Sequence, residues 1–162
     1  MDVLVKGKTG SGKTRLLISK AKEYVEKYHR VFHLVPLVSL KQQLYIRYKE
    51  LYKDIVTDSV TEGYKIYVLT YNQFNQMLSL KTKVFYDVIV FDEFSLITNP
   101  LFSKYIYSAI KNTENAYVRY FLSATPIDIG IKFDNTIDLG EQGSQYEVIK
   151  VQRWEDFINP QL

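Results

Sequence analysis

Val3-Leu4-Val5-Lys6-Gly7-Lys8-Thr9-Gly10-Ser11-Gly12-Lys13-Thr14 is the stretch that decides the fold: an apolar run leads into the spacing G-x-x-x-x-G-K-[ST], and a segment with helical periodicity follows. Strand, glycine-rich loop and helix in that order are the context in which this spacing binds phosphate. A row of phosphates carries dense negative charge and needs several donors at once. Gly7, Gly10 and Gly12 can adopt the backbone angles that turn successive N–H groups inward, and the helix that follows presents its positive end to the same anion. Within the loop Gly7, Lys8, Thr9, Gly10, Ser11, Gly12, Lys13 and Thr14 are the candidate binding residues; Lys8 fills no pattern position and reads as solvated. Lys13 is placed to reach the β and γ phosphates, and Thr14 offers a hydroxyl to a bridging Mg²⁺.

The next informative stretch is Val88-Ile89-Val90-Phe91-Asp92-Glu93, an apolar run that ends in two acids. Such a run reads as a central strand of a parallel sheet, buried on both faces. In open α/β sheets ligands sit outside the carboxyl ends of the strands, so the loop at 7–14 and the acids at 92–93 should converge. Asp92 is then the second candidate for holding Mg²⁺, and Glu93 is the candidate base that orients and deprotonates a water attacking the γ phosphate. A third strand, Ala116 to Leu122, runs into Ser123-Ala124-Thr125-Pro126, again placing small hydroxyl residues at a strand end.

This ordered trio resembles the first RecA-like domain of the superfamily 2 helicases, the DEAD/DEAH-box and related ATPases, and the resemblance spans nearly the whole chain. It implies ATP with Mg²⁺ as cofactor, a single strand of DNA or RNA as partner, and coupling of nucleotide state to strand movement through Ser123 and Thr125. Two weaker segments fall in family order between the strong ones: Val35 to Gln43, with a Leu and a Gln at family positions, and Val68 to Phe74. By the resemblance Pro36, Ser39, Lys41 and Thr70 face the sugar-phosphate backbone of the nucleic acid. Departures from the pattern are informative. Phe94 and Ser95 stand where the family usually has Ala and then Asp or His, and Val38 stands where many members place Arg. Only six residues precede Gly7, leaving no room for the adenine-reading segment of many members, so base selectivity is not read.

Family motors close two lobes around ATP, the second lobe supplying a Q-x-x-G-R-x-x-R element. That element does not occur in this sequence. An arginine finger is worth on the order of 10³–10⁵ in rate, so this chain alone is expected to bind nucleotide and hydrolyse it weakly. It would then depend on a second RecA-like lobe in cis or on a partner in trans. Residues 1–162 read as one domain, with 141–162 as a closing strand and linker of a truncated motor.

The 162 residues carry a formal charge of +3, with 46% hydrophobic and 24% charged residues. That is ordinary globular usage, enough to bury one core, and too weakly basic to argue by itself for a nucleic acid partner. Zero cysteines exclude disulfides, metal–thiolate sites and a cysteine nucleophile. No apolar run is long enough to span a bilayer and no signal peptide is visible, so no membrane partner and a cytoplasmic, intracellular location are expected. His29 and His33, around the second strand, show no ligand spacing. Sixteen Lys, 14 Ile and 14 Tyr against 4 Ala and 5 Arg is the bias of A/T-rich codons, pointing to a phage, virus or low-GC bacterium. On the helix after Pro36 the residues Leu37, Leu40, Leu44, Tyr48 and Leu51 form one stripe, which makes Tyr48 core and leaves Tyr45 and Tyr52 more exposed.

Strands are expected near 2–6, 31–36, 64–70, 87–92, 116–123 and 145–151, and helices near 13–28, 38–52, 71–79, 99–112 and 153–158. Segment 127–144 reads as irregular connection. The alternation implies right-handed crossovers and an α/β, three-layer P-loop NTPase fold of RecA-like type, its mostly parallel sheet covered by helices on both faces. Two other functions fit the same motifs. One is a packaging ATPase of the viral terminase type; the other is a module that uses nucleotide to dock a partner without turnover. A small-molecule P-loop kinase fits less well, because Asp92-Glu93 suits water activation.

Overall fold

A computed structural model describes residues 1–80, 86–125 and 127–140. The expected strand at 145–151, the helix at 153–158, the linker role of 141–162 and Pro126 lie outside the described residues. Among the described residues seven strands form one sheet: β1 (Asp2–Lys6), β2 (Val31–Val35), β3 (Val56–Thr57), β4 (Ile66–Thr70), β5 (Val88–Asp92), β6 (Val118–Ser123) and β7 (Asn135–Asp138). Their spatial order is β3-β4-β2-β5-β6-β1-β7, and every pairing is parallel. The helices are α1 (Lys13–Glu26), α2 (Val38–Tyr52), α3 (Tyr71–Ser79) and α4 (Ser103–Lys111).

Central strands are buried along their whole length because alternate side chains enter two different cores. Val31 and Val35 of β2, Val88 and Val90 of β5, and Val118 and Leu122 of β6 point to the side covered by α1 and α2, where Leu16, Leu17, Leu44 and Tyr48 meet them. Phe32, Leu34, Ile89, Phe91 and Phe121 point to the other side, against Phe74 and Met77 of α3 and Ile106 and Ala109 of α4. The second core is aromatic. Phe91 and Phe121, register partners across β5 and β6, stack with centroids 4.7 Å apart, and Phe32 stacks on Tyr67 of β4 at 4.8 Å.

At the amino ends of the strands, away from the glycine-rich loop, the Arg119 guanidinium forks onto both Asp2 carboxylate oxygens at 2.8 Å and also donates to the Ile110 carbonyl. This joins β1, β6 and the end of α4. Arg30 grips Asp87 in the same bidentate way, tying β2 to the entry of β5.

Several boundaries differ from the sequence reading, each for a physical reason. Segment 127–144 is not all irregular: Asn135–Asp138 forms edge strand β7, bonded in register to β1 and bracketed by Asp134 N–H to Asp2 O and Leu139 N–H to Lys6 O, both 2.8 Å. Its side chains are mostly exposed, so no apolar alternation announces it. The two-residue β3 at the opposite edge is too short to carry any pattern. The helix expected from 99 begins at Ser103, because Phe94–Thr98 winds as a 3₁₀ turn and a turn through Asn99 follows. On α2 the stripe is shorter than expected: Leu44 and Tyr48 are buried and Leu40 is partly so, while Leu37 and Leu51, at the helix ends, are exposed. Tyr52 is half-buried, its hydroxyl donating to the Ile18 carbonyl at 2.6 Å.

Candidate active site

Strands β5, β6 and β1 are neighbours in the sheet, so the three motifs that end them lie side by side at its carboxyl edge. The loop after β1 is shaped by its glycines at two points. Gly12, which opens α1, has φ 96°, and a Cβ on Gly7 would meet Ser11 Oγ at 2.4 Å. The amino end of α1 has no side-chain cap and no acidic residue in its first turn, leaving its N–H groups and positive dipole for an anion. Among the described residues Ser11 Oγ is buried without a hydrogen-bond partner. Lys13 folds back over the loop, its Nζ donating to the Gly7 carbonyl at 2.5 Å and the Lys8 carbonyl at 3.3 Å. Lys8 and Thr9 are exposed.

Across from the loop, Thr14 Oγ1 lies 3.4 Å from Asp92 Oδ2, a pair separated by 78 residues in the chain. Asp92 is buried, and its backbone carbonyl accepts from the Tyr71 hydroxyl at 2.8 Å. Glu93 sits at the mouth with φ 55°, a left-handed conformation that costs a non-glycine residue roughly 1–2 kcal/mol. Desolvation lowers the Lys13 pKa, against the opposing pull of Glu93 and Asp92. Desolvation first and the Asp92 charge second raise the Glu93 pKa, with Lys13 opposing. Thr14, Asp92 and Glu93 form one wall of a crevice of about 170 Å³; Leu40, Gln43 and Arg47 of α2 line the other. Leu40 and Gln43 belong to the segment that follows β2, and Arg47 joins them at the crevice without a motif to mark it.

The donor set fits a hard divalent cation: two oxygens, one hydroxyl and one carboxylate, meet beside the uncapped start of α1, and Mg²⁺ is commonly held through one or two protein oxygens with phosphate and water completing its shell. Among the described residues no group of three or more His, Asp or Glu forms an all-protein metal cage.

Ser123 donates from Oγ to Ser95 Oγ at 3.0 Å and accepts from Thr125 N–H at 3.1 Å, so the strand ends of β5 and β6 are joined by hydroxyls. Ser95, which departs from the Asp or His of the family pattern, makes that contact. The backbone-binding candidates are spread along the same edge. Pro36 lies in the turn before α2 and Ser39 in its first turn, with Ser39 exposed. Lys41 is committed within the fold, its Nζ donating to the Asp58 carbonyl and Gln73 Oε1, both 3.1 Å. Thr70 is buried and caps α3, accepting from Gln73 N–H at 3.2 Å while Gln73 Oε1 accepts from the Thr70 N–H.

A second residue at the site carried no signal in the motifs. His33, fully buried in the middle of β2, lies 2.8 Å from Asp92 Oδ2 through Nε2 and 2.7 Å from the Tyr48 hydroxyl through Nδ1. The signal that could have found it is a polar side chain inside an otherwise apolar strand.

The family model for the type III restriction enzyme res subunit matches residues 1–128. No curated protein matches in sequence. Among solved structures the chain is similar to the Hef helicase domain of Pyrococcus furiosus, with TM-score 0.68 and 19% identity over 91% of this chain and 36% of that one. It is also similar to a hypothetical ATP-dependent RNA helicase from Sulfolobus tokodaii, with TM-score 0.62 and 21% identity over 98% of this chain and 46% of that one. A third match is the type ISP restriction-modification enzyme LlaGI, solved as a nuclease-deletion mutant with a DNA substrate mimic, at TM-score 0.62 and 16% identity over 92% of this chain and 16% of that one. The chain thus spans less than half the length of each. By its sequence match and its fold, the chain belongs to the type III restriction enzyme res subunit family, a RecA-like domain of the superfamily 2 helicases.

Proposed function

We propose that the chain is the ATP-binding lobe of a nucleic-acid-dependent helicase or translocase. The observation that carries this reading is the meeting of Thr14 and Asp92 at 3.4 Å beside the uncapped start of α1. An anion cradle and a pair of hard oxygens have no structural need to coincide, whereas a triphosphate with its magnesium needs both. Lys13, Ser11 and the N–H groups of residues 7–14 would hold the phosphates, and Thr14 and Asp92 would hold Mg²⁺, which when bound offsets charge on the phosphate oxygens. Glu93, at the mouth of the crevice, would orient the attacking water and take its proton, a role its raised pKa suits. Ser123 and Thr125, joined to the Asp92–Glu93 turn through Ser95, would pass nucleotide state toward the nucleic acid. The strand itself would run along the edge bearing Pro36, Ser39 and Thr70. Lys41 serves there as a brace between α2 and α3, since both its hydrogen bonds are internal.

The sequence contains no arginine element of the second-lobe type, so turnover by this chain alone should be slow until such a lobe or a partner is supplied. The likeness of the fold to two helicase domains supports the motor reading over the terminase and partner-docking readings.

Calorimetric titration of the chain with ATP and Mg²⁺ tests the reading. Saturable heat in the wild type and its loss in Lys13→Ala are expected. Absence of heat in the wild type, or unchanged affinity in Lys13→Ala with the fold intact, overturns it.

A further inference from the structure

A histidine buried to 0% exposure in a central strand has to be explained, because an unpaired imidazole costs free energy that valine or leucine at that place would not. His33 is flanked on its own face by Val31 and Val35, and its ring packs edge-on against Tyr48 at 5.6 Å. Both ring nitrogens are engaged, and the direction of each bond follows from its partner. Asp92 Oδ2 can only accept, so Nε2 carries the hydrogen. The Tyr48 hydroxyl is completely buried, which raises its pKa well above the ordinary value and keeps it a donor, so Nδ1 accepts. The result is a three-member chain running from Tyr48 of α2 through His33 of β2 to the carboxylate at the end of β5, with no proton missing or left over.

We propose that His33, itself oriented by Tyr48, is a positioning residue for Asp92, setting the rotamer in which that carboxylate faces Thr14 and so the strength with which the site holds Mg²⁺. This rests on the reading of Thr14 and Asp92 as the magnesium residues. Asp92 is restrained at three points: the side-chain oxygen Oδ2 by His33 at 2.8 Å, the same oxygen by Thr14 at 3.4 Å, and the backbone carbonyl by Tyr71 at 2.8 Å. Of these His33 makes the short, aligned bond to the carboxylate. Outer partners of a metal-binding carboxylate change metal affinity by roughly 10–100-fold when removed.

The test is a titration of Mg²⁺ into protein with a fluorescent, non-hydrolysable ATP analogue, reading the Mg²⁺ concentration at half-maximal binding, alongside analogue binding in EDTA. His33→Leu removes the donor, His33→Gln retains an N–H of similar reach, and Tyr48→Phe removes only the hydroxyl that orients the ring. Expected are a 10–100-fold higher Mg²⁺ requirement for His33→Leu, a requirement near that of the wild type for His33→Gln, and a shift in the direction of His33→Leu for Tyr48→Phe. Binding in EDTA should be unchanged in all three. If His33→Leu fails to fold, the other two variants decide: an unmoved Tyr48→Phe, or a His33→Gln that loses EDTA binding, overturns the positioning role. A wild type that binds the analogue only with Mg²⁺, joined to a His33→Leu with the same requirement, overturns this inference alone. A wild type that binds no nucleotide overturns both it and the functional reading beneath it.

Discussion

At the scale of the residue, the sharpest observation is Glu93 held at φ 55°. The strain persists because the chain must leave β5 and enter the 3₁₀ turn at once, dropping Phe94 into the aromatic core while Asp92 stays buried on the opposite side of the sheet. Glu93 is thereby thrown out to the mouth of the crevice, exposed enough to meet water yet close enough to Asp92 and Lys13 to feel both charges. Glu93→Gln keeps shape and hydrogen bonding but cannot take a proton. On the proposed reading, nucleotide affinity should stay within a few-fold of wild type while ATP turnover falls by about 10²–10⁴-fold, the usual worth of a general base. Phosphate release under saturating ATP and nucleic acid measures it, and normal turnover would move the base elsewhere. Of the residues now at the site, the motif spacing named Lys13, Thr14, Asp92 and Glu93 because loop and strand-end chemistry is local. His33 and Arg47 escaped because each reaches the site from a separate strand or helix and fills no spacing.

Secondary-structure elements show where sequence patterns carry information and where they do not. Strands β1, β2, β4, β5 and β6 were readable because apolar runs of this length between turn signals are buried strands, and the observed ends lie within two residues of expectation. Edge strands β3 and β7 were not, since an element that buries little has no reason to be apolar. Helix α3 starts at Thr70 through a capping box with Gln73, a local signal, and one that also ties up residues the family resemblance aims at nucleic acid. The central strands are held laterally by more than their ladders. Phe121 stacks on Phe91, meets Phe94 edge-on at 5.6 Å and Phe133 at 5.3 Å. Phe121→Ala should therefore cost about 3–5 kcal/mol, read as a lowered denaturant midpoint with an unchanged slope. A loss below about 1 kcal/mol, far under the range for buried aromatics, would show that the stack is not a main support of the sheet.

On the scale of the whole molecule, five tyrosines are buried deeply enough to resist ionisation: Tyr24, Tyr48, Tyr71 and Tyr120 all have raised pKa values, and desolvation pushes Tyr52 up to about 12. In the unfolded chain each would ionise near the ordinary value of 10. Above that pH the folded state retains protons that the unfolded state releases, so stability falls as pH rises. Their contribution is fully present below pH 10 and is lost through about pH 12, with little effect between pH 6 and 9. Denaturant midpoints measured across this range should drop steeply above pH 10, and a midpoint that holds steady from pH 9 to pH 12 would contradict the burial. Among the described residues no helix is long and apolar enough to cross a membrane.

By itself the sequence determined the glycine-rich loop, the acidic strand end, the hydroxyl strand end and the alternation that makes a parallel α/β sheet, since each is set by contacts between residues close in the chain. Only the tertiary structure decided the strand order. That order places β6 between β5 and β1 and so brings Ser123 against Ser95, and it places β2 beside β5 with His33 opposite Val90, so that side chains of one face, His33 and Asp92, meet. The physical reason is that adjacency in a parallel sheet is chosen by crossover connections and by packing on both faces, which no local spacing encodes.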